Sequence, residues 1–220
     1  MIAIVAALPR EIAALVRGVK PDAALRKRGI HLYRLPKAVV VAGGMGSSRV
    51  TLAVDAAVSS SQIETLISVG LAGGCSAAAP AGVVLEAGKV IDAQSGESYA
   101  ASGSAVLVTS PAIAGVREKA RLHSAYGAAM VDMEAATVAR LAEARGIPFR
   151  AIKGISDGHD FELASLSRFA GRHGSFRTGA FALHTAVRPH HWGMAMRLGK
   201  HSQRALAALD AVLRDLINNA

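Results

Sequence analysis

Ala38-Val39-Val40-Val41-Ala42-Gly43-Gly44-Met45-Gly46-Ser47-Ser48 decides the fold class. Five small or β-branched apolar residues in a row predict a strand buried on both faces. Glycines at 43, 44 and 46 then end it in a turn. Ser47 or Ser48 is placed to cap a helix running through Ser59. An apolar strand leading at once into a helix is the repeating unit of α/β architecture.

The unit recurs outward from there. Residues 2–7 form a short apolar strand, and Pro9 marks a helix start over residues 10–17. The basic stretch 20–37 reads as an exposed hairpin. Residues 64–70 form a buried strand that again ends in glycine, and residues 82–91 and 105–109 read as further strands. Asp132 opens a helix over residues 133–145, closed by Gly146 and Pro148. Residues 149–156 are the last strand, and a long basic helix over 202–218 closes the chain. No repeat or linker interrupts this order. Residues 1–220 are expected to form a single α/β domain, a mixed, largely parallel central β-sheet flanked by helices, with a basic C-terminal segment over 168–220.

Composition narrows the function. A hydrophobic fraction of 51% with 19% charged residues excludes a disordered chain. Aromatic residues at 4% are too few for a base-stacking platform on single-stranded nucleic acid. Cys75 is the one cysteine, so no internal disulfide forms; it reads as a small buried apolar residue in a reducing cytoplasm. No His–Cys cluster has metal-ligand spacing. Residues 65–85 and 98–116 carry no charge, but Gly73-Gly74, Pro80, Gly103 and Pro111 break them into strand–loop–strand pieces rather than membrane spans. The N-terminus is apolar at once, with no basic segment before it, unlike a secretory signal. The net charge of +9 suggests an anionic partner: nucleic acid, acidic lipid or phosphate. Its excess is local, because between Arg168 and Arg214 the single acid is Asp210.

Strand ends are where α/β folds hold ligands. Four such ends carry polar or glycine-rich sequence: Leu8-Pro9-Arg10-Glu11, Gly43-Gly44-Met45-Gly46, Gly70-Leu71-Ala72-Gly73-Gly74 and Ser156-Asp157-Gly158. A fifth element, Val131-Asp132-Met133-Glu134, precedes a helix. Neither glycine loop has dinucleotide or P-loop spacing. Taken singly, Glu134 reads as a helix-start acid favoured by the dipole, and Asp157 as a turn residue.

In order along the chain these elements resemble the nucleoside phosphorylase/nucleosidase superfamily. Val131-Asp132-Met133-Glu134-Ala135-Ala136 followed by Gly154-Ile155-Ser156-Asp157 is the most specific part, supported by the first strand with Glu11 and by Val69-Gly70-Leu71-Ala72-Gly73-Gly74. The resemblance covers residues 1 to about 160 and looks closest to the methylthioadenosine/adenosylhomocysteine nucleosidase branch. It implies cleavage of a purine–ribose N-glycosidic bond. Such a bond breaks through a cationic sugar and leaves an anionic base unless N7 is protonated, so a buried carboxylic acid is needed as general acid. The resemblance puts that role on Asp157, oriented by Ser156. It puts Glu134 on the ribose hydroxyls, with Met133 packed on the sugar, and Glu11 on the attacking water. Gly70, Leu71, Ala72 and Gly73 would line the substrate, with Ile113 near the base. It implies a homo-oligomer, and no metal or organic cofactor.

The nucleophile stays open between water and phosphate. Phosphorylases of the superfamily carry an arginine where Ser68 stands and an early glycine-rich segment where Leu8-Pro9-Arg10-Glu11 stands, which favours water. Gly44, Gly46 and Arg49 resemble a phosphate-side loop, which favours phosphate as co-substrate; amides of a glycine loop can hold an anion.

Beyond Asp157 the chain departs from the short nucleosidases. Asp160-Phe161-Glu162-Leu163, Phe176-Arg177-Thr178-Gly179, Arg188-Pro189 and Arg197-Leu198-Gly199-Lys200-His201-Ser202 resemble the hopanoid-associated phosphorylase family. That family is linked to removing adenine from adenosylhopane, a lipid-tailed nucleoside of hopanoid biosynthesis. The short segment between Asp92 and Val131 would leave room for a large apolar 5′ group. Trp192, Met194, Met196 and Leu198 stand among Arg188, His190, His191, Arg197 and Lys200, a pattern found in segments that touch anionic membranes. A solvated surface over a core-packed helix is the plainer reading of that run. The expected location is cytoplasmic, with peripheral contact at the inner membrane face as the variant the tail suggests. Two alternatives stand beside the lipid-tailed substrate: a methylthioadenosine/adenosylhomocysteine-type nucleosidase, and a non-catalytic nucleoside- or nucleic-acid-binding protein. No specific nucleic-acid-reading motif supports the latter.

Overall fold

Two strands buried at every residue, β1 (Ile2–Ala6) and β3 (Ala38–Ala42), pair in parallel at the heart of the sheet. The structure, a computed structural model, describes residues 1–162 and 192–219. Side chains alternate across β1. Ala3 and Val5 face Val50, Val54 and Leu141, whereas Ile2, Ile4 and Ala6 face Ile12, Leu209 and Leu213. The sheet is therefore covered on both faces, one by helices α3 (Ser47–Ser60) and α5 (Ala135–Glu143), the other by α1 (Pro9–Ile12) and α6 (Trp192–Asn218). The described residues form an α/β fold around one mixed nine-stranded sheet, as expected.

The remaining elements are α2 (Ala23–Lys27), β2 (His31–Arg34), β4 (Thr65–Gly74), β5 (Val84–Asp92), β6 (Ser98–Ala100), β7 (Ala105–Thr109), α4 (Val116–Tyr126), β8 (Met130–Asp132) and β9 (Phe149–Asp157). The outer order is β2-β3-β1-β4, and beyond β4 the pairing closes on itself. Strand β4 pairs with β9, β9 with β5, β5 with β7, β7 with β8, and β8 returns to β4. The first half of β4 lies between β1 and β9; its last residues lie between β8 and β9. This double engagement explains its length.

Several sequence expectations are corrected. Gly70-Leu71-Ala72-Gly73-Gly74 is not a loop but the second half of β4, held extended by β9 and β8. The helix expected from Asp132 starts at Ala135, because residues 130–132 add a strand between β4 and β7. The basic stretch 20–37 is a hairpin only in part: Asp22 caps helix α2 by accepting from Ala24 and Leu25 N–H, and β2 turns back along β3. Neither Ser47 nor Ser48 caps α3; Gly46 holds that place, with φ +86°. Helix α1 ends at Ile12, short of residue 17, and α6 begins ten residues before Ser202.

Helix α6 spends its apolar face on the core, through Ala205, Leu209 and Leu213. It passes so close to β9 that a Cβ at Gly154 would stand 3.0 Å from Ala205 O. Met196 is exposed (69%). No helix among the described residues is long and apolar enough to cross a membrane. The expectations placed on Phe176 to Pro189, on His190 and His191, and on the side chains of Trp192 and Met194 lie outside the described residues.

Candidate active site

Strand β4 acts as a ruler along which the acidic side chains are set out. Glu11 projects from α1, directly after β1. Its Oε2 accepts from Leu8 N–H (2.8 Å) and its Oε1 from Leu71 N–H (3.0 Å). The neighbouring residue must be glycine: Gly70 has φ +135°, and a Cβ there would fall 2.9 Å from Glu11 Oε1. Three positions on, Gly73 is opposite Asp157 in the β4–β9 register. A Cβ at Gly73 would sit 3.1 Å from Lys119 Cε and 3.3 Å from Asp157 Oδ2. The stretch from Gly70 to Gly73 spans about 10 Å at strand rise, which suits a ligand of nucleoside length. Strand β8 runs antiparallel to β4, so the chain after Asp132 heads back toward the Glu11 end and delivers Glu134 there.

Glu134 is the N-cap residue of α5, yet its side chain does not cap that helix. Its Oε1 accepts from Gly46 N–H at the start of α3 (3.0 Å). Enclosure in the cavity wall, and next the Asp132 carboxylate, push Glu134 up to about 8 against the Gly46 hydrogen bond and Lys153.

Beneath it lies a buried polar cluster that sequence reading passed over. Asp132 Oδ1 accepts from Thr109 Oγ1 (2.7 Å), and its Oδ2 accepts from Ala135 N–H (3.0 Å) and pairs with Lys153 Nζ (2.9 Å). Lys153 also donates to Ser68 Oγ (2.9 Å). A lysine inside the apolar strand 149–157 was the available signal, since a cation there needs a buried partner.

At the other end, Asp157 is 1% exposed and forms an ion pair with Lys119, itself fully buried. Lys119 Nζ donates further to Gly158 O (2.8 Å) and Phe161 O (3.2 Å). Ser156 Oγ donates to Asp157 Oδ1 and lies 3.2 Å from Ala72 O. Lys119 gave no sequence signal: the sequence reading placed no helix between residues 109 and 132, where α4 stands, and the burial of Lys119 is tertiary.

All these ends open on one cavity of about 440 Å³. Of the residues expected at the site, Glu11, Leu71, Ala72, Gly73, Ile113, Met133, Glu134, Ser156 and Asp157 line it. Gly70 stands behind Glu11, against its carboxylate. The residues expected to hold phosphate are otherwise engaged. Gly46 N–H serves Glu134, and Arg49 Nε and Nη2 donate to Gly43 O (2.6 Å) and Gly29 O (2.7 Å). Neither Gly44 nor Arg49 is part of the wall; Arg10 is. The unforeseen lining comes from α6, with Leu198, Ser202, Gln203 and Leu206. Burial pushes the Cys75 thiol up to about 12, so it is no nucleophile. Among the described residues, no group of three or more His, Cys, Asp or Glu side chains is arranged to hold a metal ion.

The fold is similar to that of solved nucleosidase structures. Residues 99–185 match the family model of the phosphorylase superfamily. Among solved structures, the chain is similar to a 5′-methylthioadenosine/S-adenosylhomocysteine nucleosidase from Neisseria meningitidis (15% identity, TM-score 0.73, 100% of this chain and 99% of that one). It is similar also to the Helicobacter pylori enzyme of the same description (15%, TM-score 0.71, 100% and 98%). A third likeness is to the futalosine hydrolase of Helicobacter pylori (17%, TM-score 0.68, 97% and 97%). No curated protein sequence matches significantly.

Proposed function

We propose that the protein hydrolyses the N-glycosidic bond of an adenine nucleoside carrying an apolar 5′ substituent. The observation that carries this reading is the placement of Glu11, Glu134 and Asp157 on the wall of one cavity, with Glu11 and Asp157 set at opposite ends by β4. The ribose lies at the Glu11–Glu134 end. There Glu134 takes the sugar hydroxyls and, as the anomeric carbon becomes cationic, stabilises it in a water-poor site. The base lies at the Asp157 end, where the carboxyl protonates N7 of the leaving purine. Glu11, aimed by two backbone N–H groups, takes the proton of the attacking water. Water is favoured over phosphate because Gly46 and Arg49 already serve protein acceptors.

Leu198 and Leu206 of α6 present apolar surface to the cavity and favour an apolar 5′ group. Adenosylhopane is the lipid-tailed candidate, and 5′-methylthioadenosine or adenosylhomocysteine the small ones. The test supplies adenosines with 5′-methylthio, homocysteinyl and long alkyl groups, each with and without phosphate, and measures adenine and the sugar product. Free ribose sugar formed at equal rates in both conditions is expected, with kcat/KM rising as the apolar 5′ group lengthens. Ribose 1-phosphate would replace hydrolysis by phosphorolysis. A rate highest for the methylthio substrate would favour the small-substrate nucleosidase, and no adenine from any of them would defeat the enzyme reading.

A further inference from the structure

Lys119 has no part in the scheme above, yet it is fully buried, lines the same cavity and carries a charge. Its ammonium has three hydrogens and three acceptors: Asp157 Oδ2, Gly158 O and Phe161 O. Two independent features of the fold make room for it. Gly73 lacks the Cβ that would press on Lys119 Cε and Asp157 Oδ2 together. The 158–161 turn directs two carbonyls at the ammonium. Charged groups around the pair include Asp160, in the 158–161 turn, and Glu118, on the same helix, which Arg121 holds in an exposed ion pair; the Cys75 thiol also lies close.

The pairing raises a chemical question. A general acid must deliver a proton, but Asp157 in an ion pair has none, and burying a lysine costs several kcal/mol unless it is matched. We propose that Lys119 and Asp157 act as one acid, with Lys119 the positioning and proton-supplying residue that works through Asp157. This rests on the reading of Asp157 as the acid that serves the leaving base.

The step balances. The C1′–N9 bond breaks and its electron pair goes to the purine. N7 receives a proton from Asp157, and Asp157 Oδ2 receives one from Lys119 Nζ, leaving a neutral amine. Water adds to C1′ and gives its proton to Glu11. Counting Lys119, Asp157 and Glu11, the wall carries one net negative charge before and after. Ser156 suits the exchange, because its hydroxyl donates to Asp157 Oδ1 and leaves Oδ2 to take the proton from Lys119 and pass it to the base. The amine regains its proton when the base departs and solvent enters.

The decisive readout is leaving-group dependence. Two substrates with the same 5′ group are compared, one carrying adenine and one 4-nitrophenolate, which leaves without protonation. For K119M, kcat on the adenine substrate is expected to fall by roughly 10²–10⁴-fold, with turnover of the nitrophenyl riboside kept within a few-fold. A merely structural lysine would lower both alike, and that result overturns the proposal. D157N is run beside it. If D157N loses adenine turnover selectively and K119M does not, only the proposal on Lys119 fails. If D157N shows no selectivity, the acid reading of Asp157 fails first. Should K119M fail to fold around an unpaired Asp157, the K119M/D157N double variant, in which no lone charge remains, decides instead. Residues acting as one unit give the double variant the same loss as D157N alone; a further tenfold loss on adenine overturns the proposal.

Discussion

The two ends of the cavity solve the same problem in opposite ways. Each encloses a carboxyl group in the cavity wall. At the base end Asp157 is neutralised by a cation, Lys119, whose three hydrogens are all engaged. At the sugar end Glu134 accepts from the Gly46 amide, and Lys153 is turned to Asp132. Glu134 is instead pushed up to about 8 by enclosure and by Asp132, toward its neutral form. In the proposed reaction the sugar end meets a cation that forms only as the bond breaks, so a carboxyl there can take up charge as that cation appears. On the same reading the base end gives up a proton, which Lys119 beside the acid supplies.

Substitution at the two ends should break this contrast most clearly. D157N is expected to lower adenine release by about 10²–10⁴-fold while sparing an activated leaving group. E134Q keeps an oxygen for the Gly46 amide but removes the charge, and should lower kcat by roughly 10²–10³-fold for both leaving groups, since the cationic sugar is common to them. Steady-state rates on the paired substrates check both. A selective effect of E134Q would erase the division of labour.

The proton on Glu134 can be counted directly. A pyrrolidinium mimic of the sugar should drive Glu134 to its charged form, releasing nearly one proton per site at pH 7. Calorimetry in two buffers of different ionisation enthalpy measures it, and E134Q should release none. The same group tilts stability with pH. Its value in the folded protein lies above the unfolded 4.5, so the folded state binds the proton more tightly. That contribution is complete below about pH 4.5 and is lost as pH rises through about 8, amounting to a few kcal/mol at most. Urea unfolding between pH 5 and 8 should show stability falling for the wild type and a flatter profile for E134Q.

The sugar end was more legible in the sequence than the base end, and the reason is local geometry. Glu11 follows its strand within five residues, and Glu134 stands in a motif read as a block, so chain order nearly equals spatial order. Asp157 was visible for the same reason. Lys119 was not, because its burial depends on α4 folding against a turn forty residues later. Strand β8 escaped for a related cause. Residues 130–132 pair at both edges, with β4 and β7, and such partners leave no periodicity in three residues. The glycines of β4 were noticed but misread as a turn. Their function is to admit Glu11 at Gly70 and the Lys119–Asp157 pair at Gly73, a demand from outside the strand.

Gly154 offers the mildest test, because it lies beneath the wall rather than in either end. An added methyl would meet Ala205 O at 3.0 Å and Ala205 Cβ at 3.1 Å, both on α6. Neither contact can yield by a side-chain rotation, so the helix itself must move. Overpacking of this kind costs about 1–3 kcal/mol, which denaturant unfolding of G154A should register. The helix carries Leu198, Ser202, Gln203 and Leu206 into the cavity but none of the carboxylates. A displaced α6 should therefore raise KM, more for long apolar 5′ groups than for short ones, and leave kcat within a few-fold. A large fall in kcat instead would mean that α6 also sets the distance between the sugar and base ends, and that β4 alone does not.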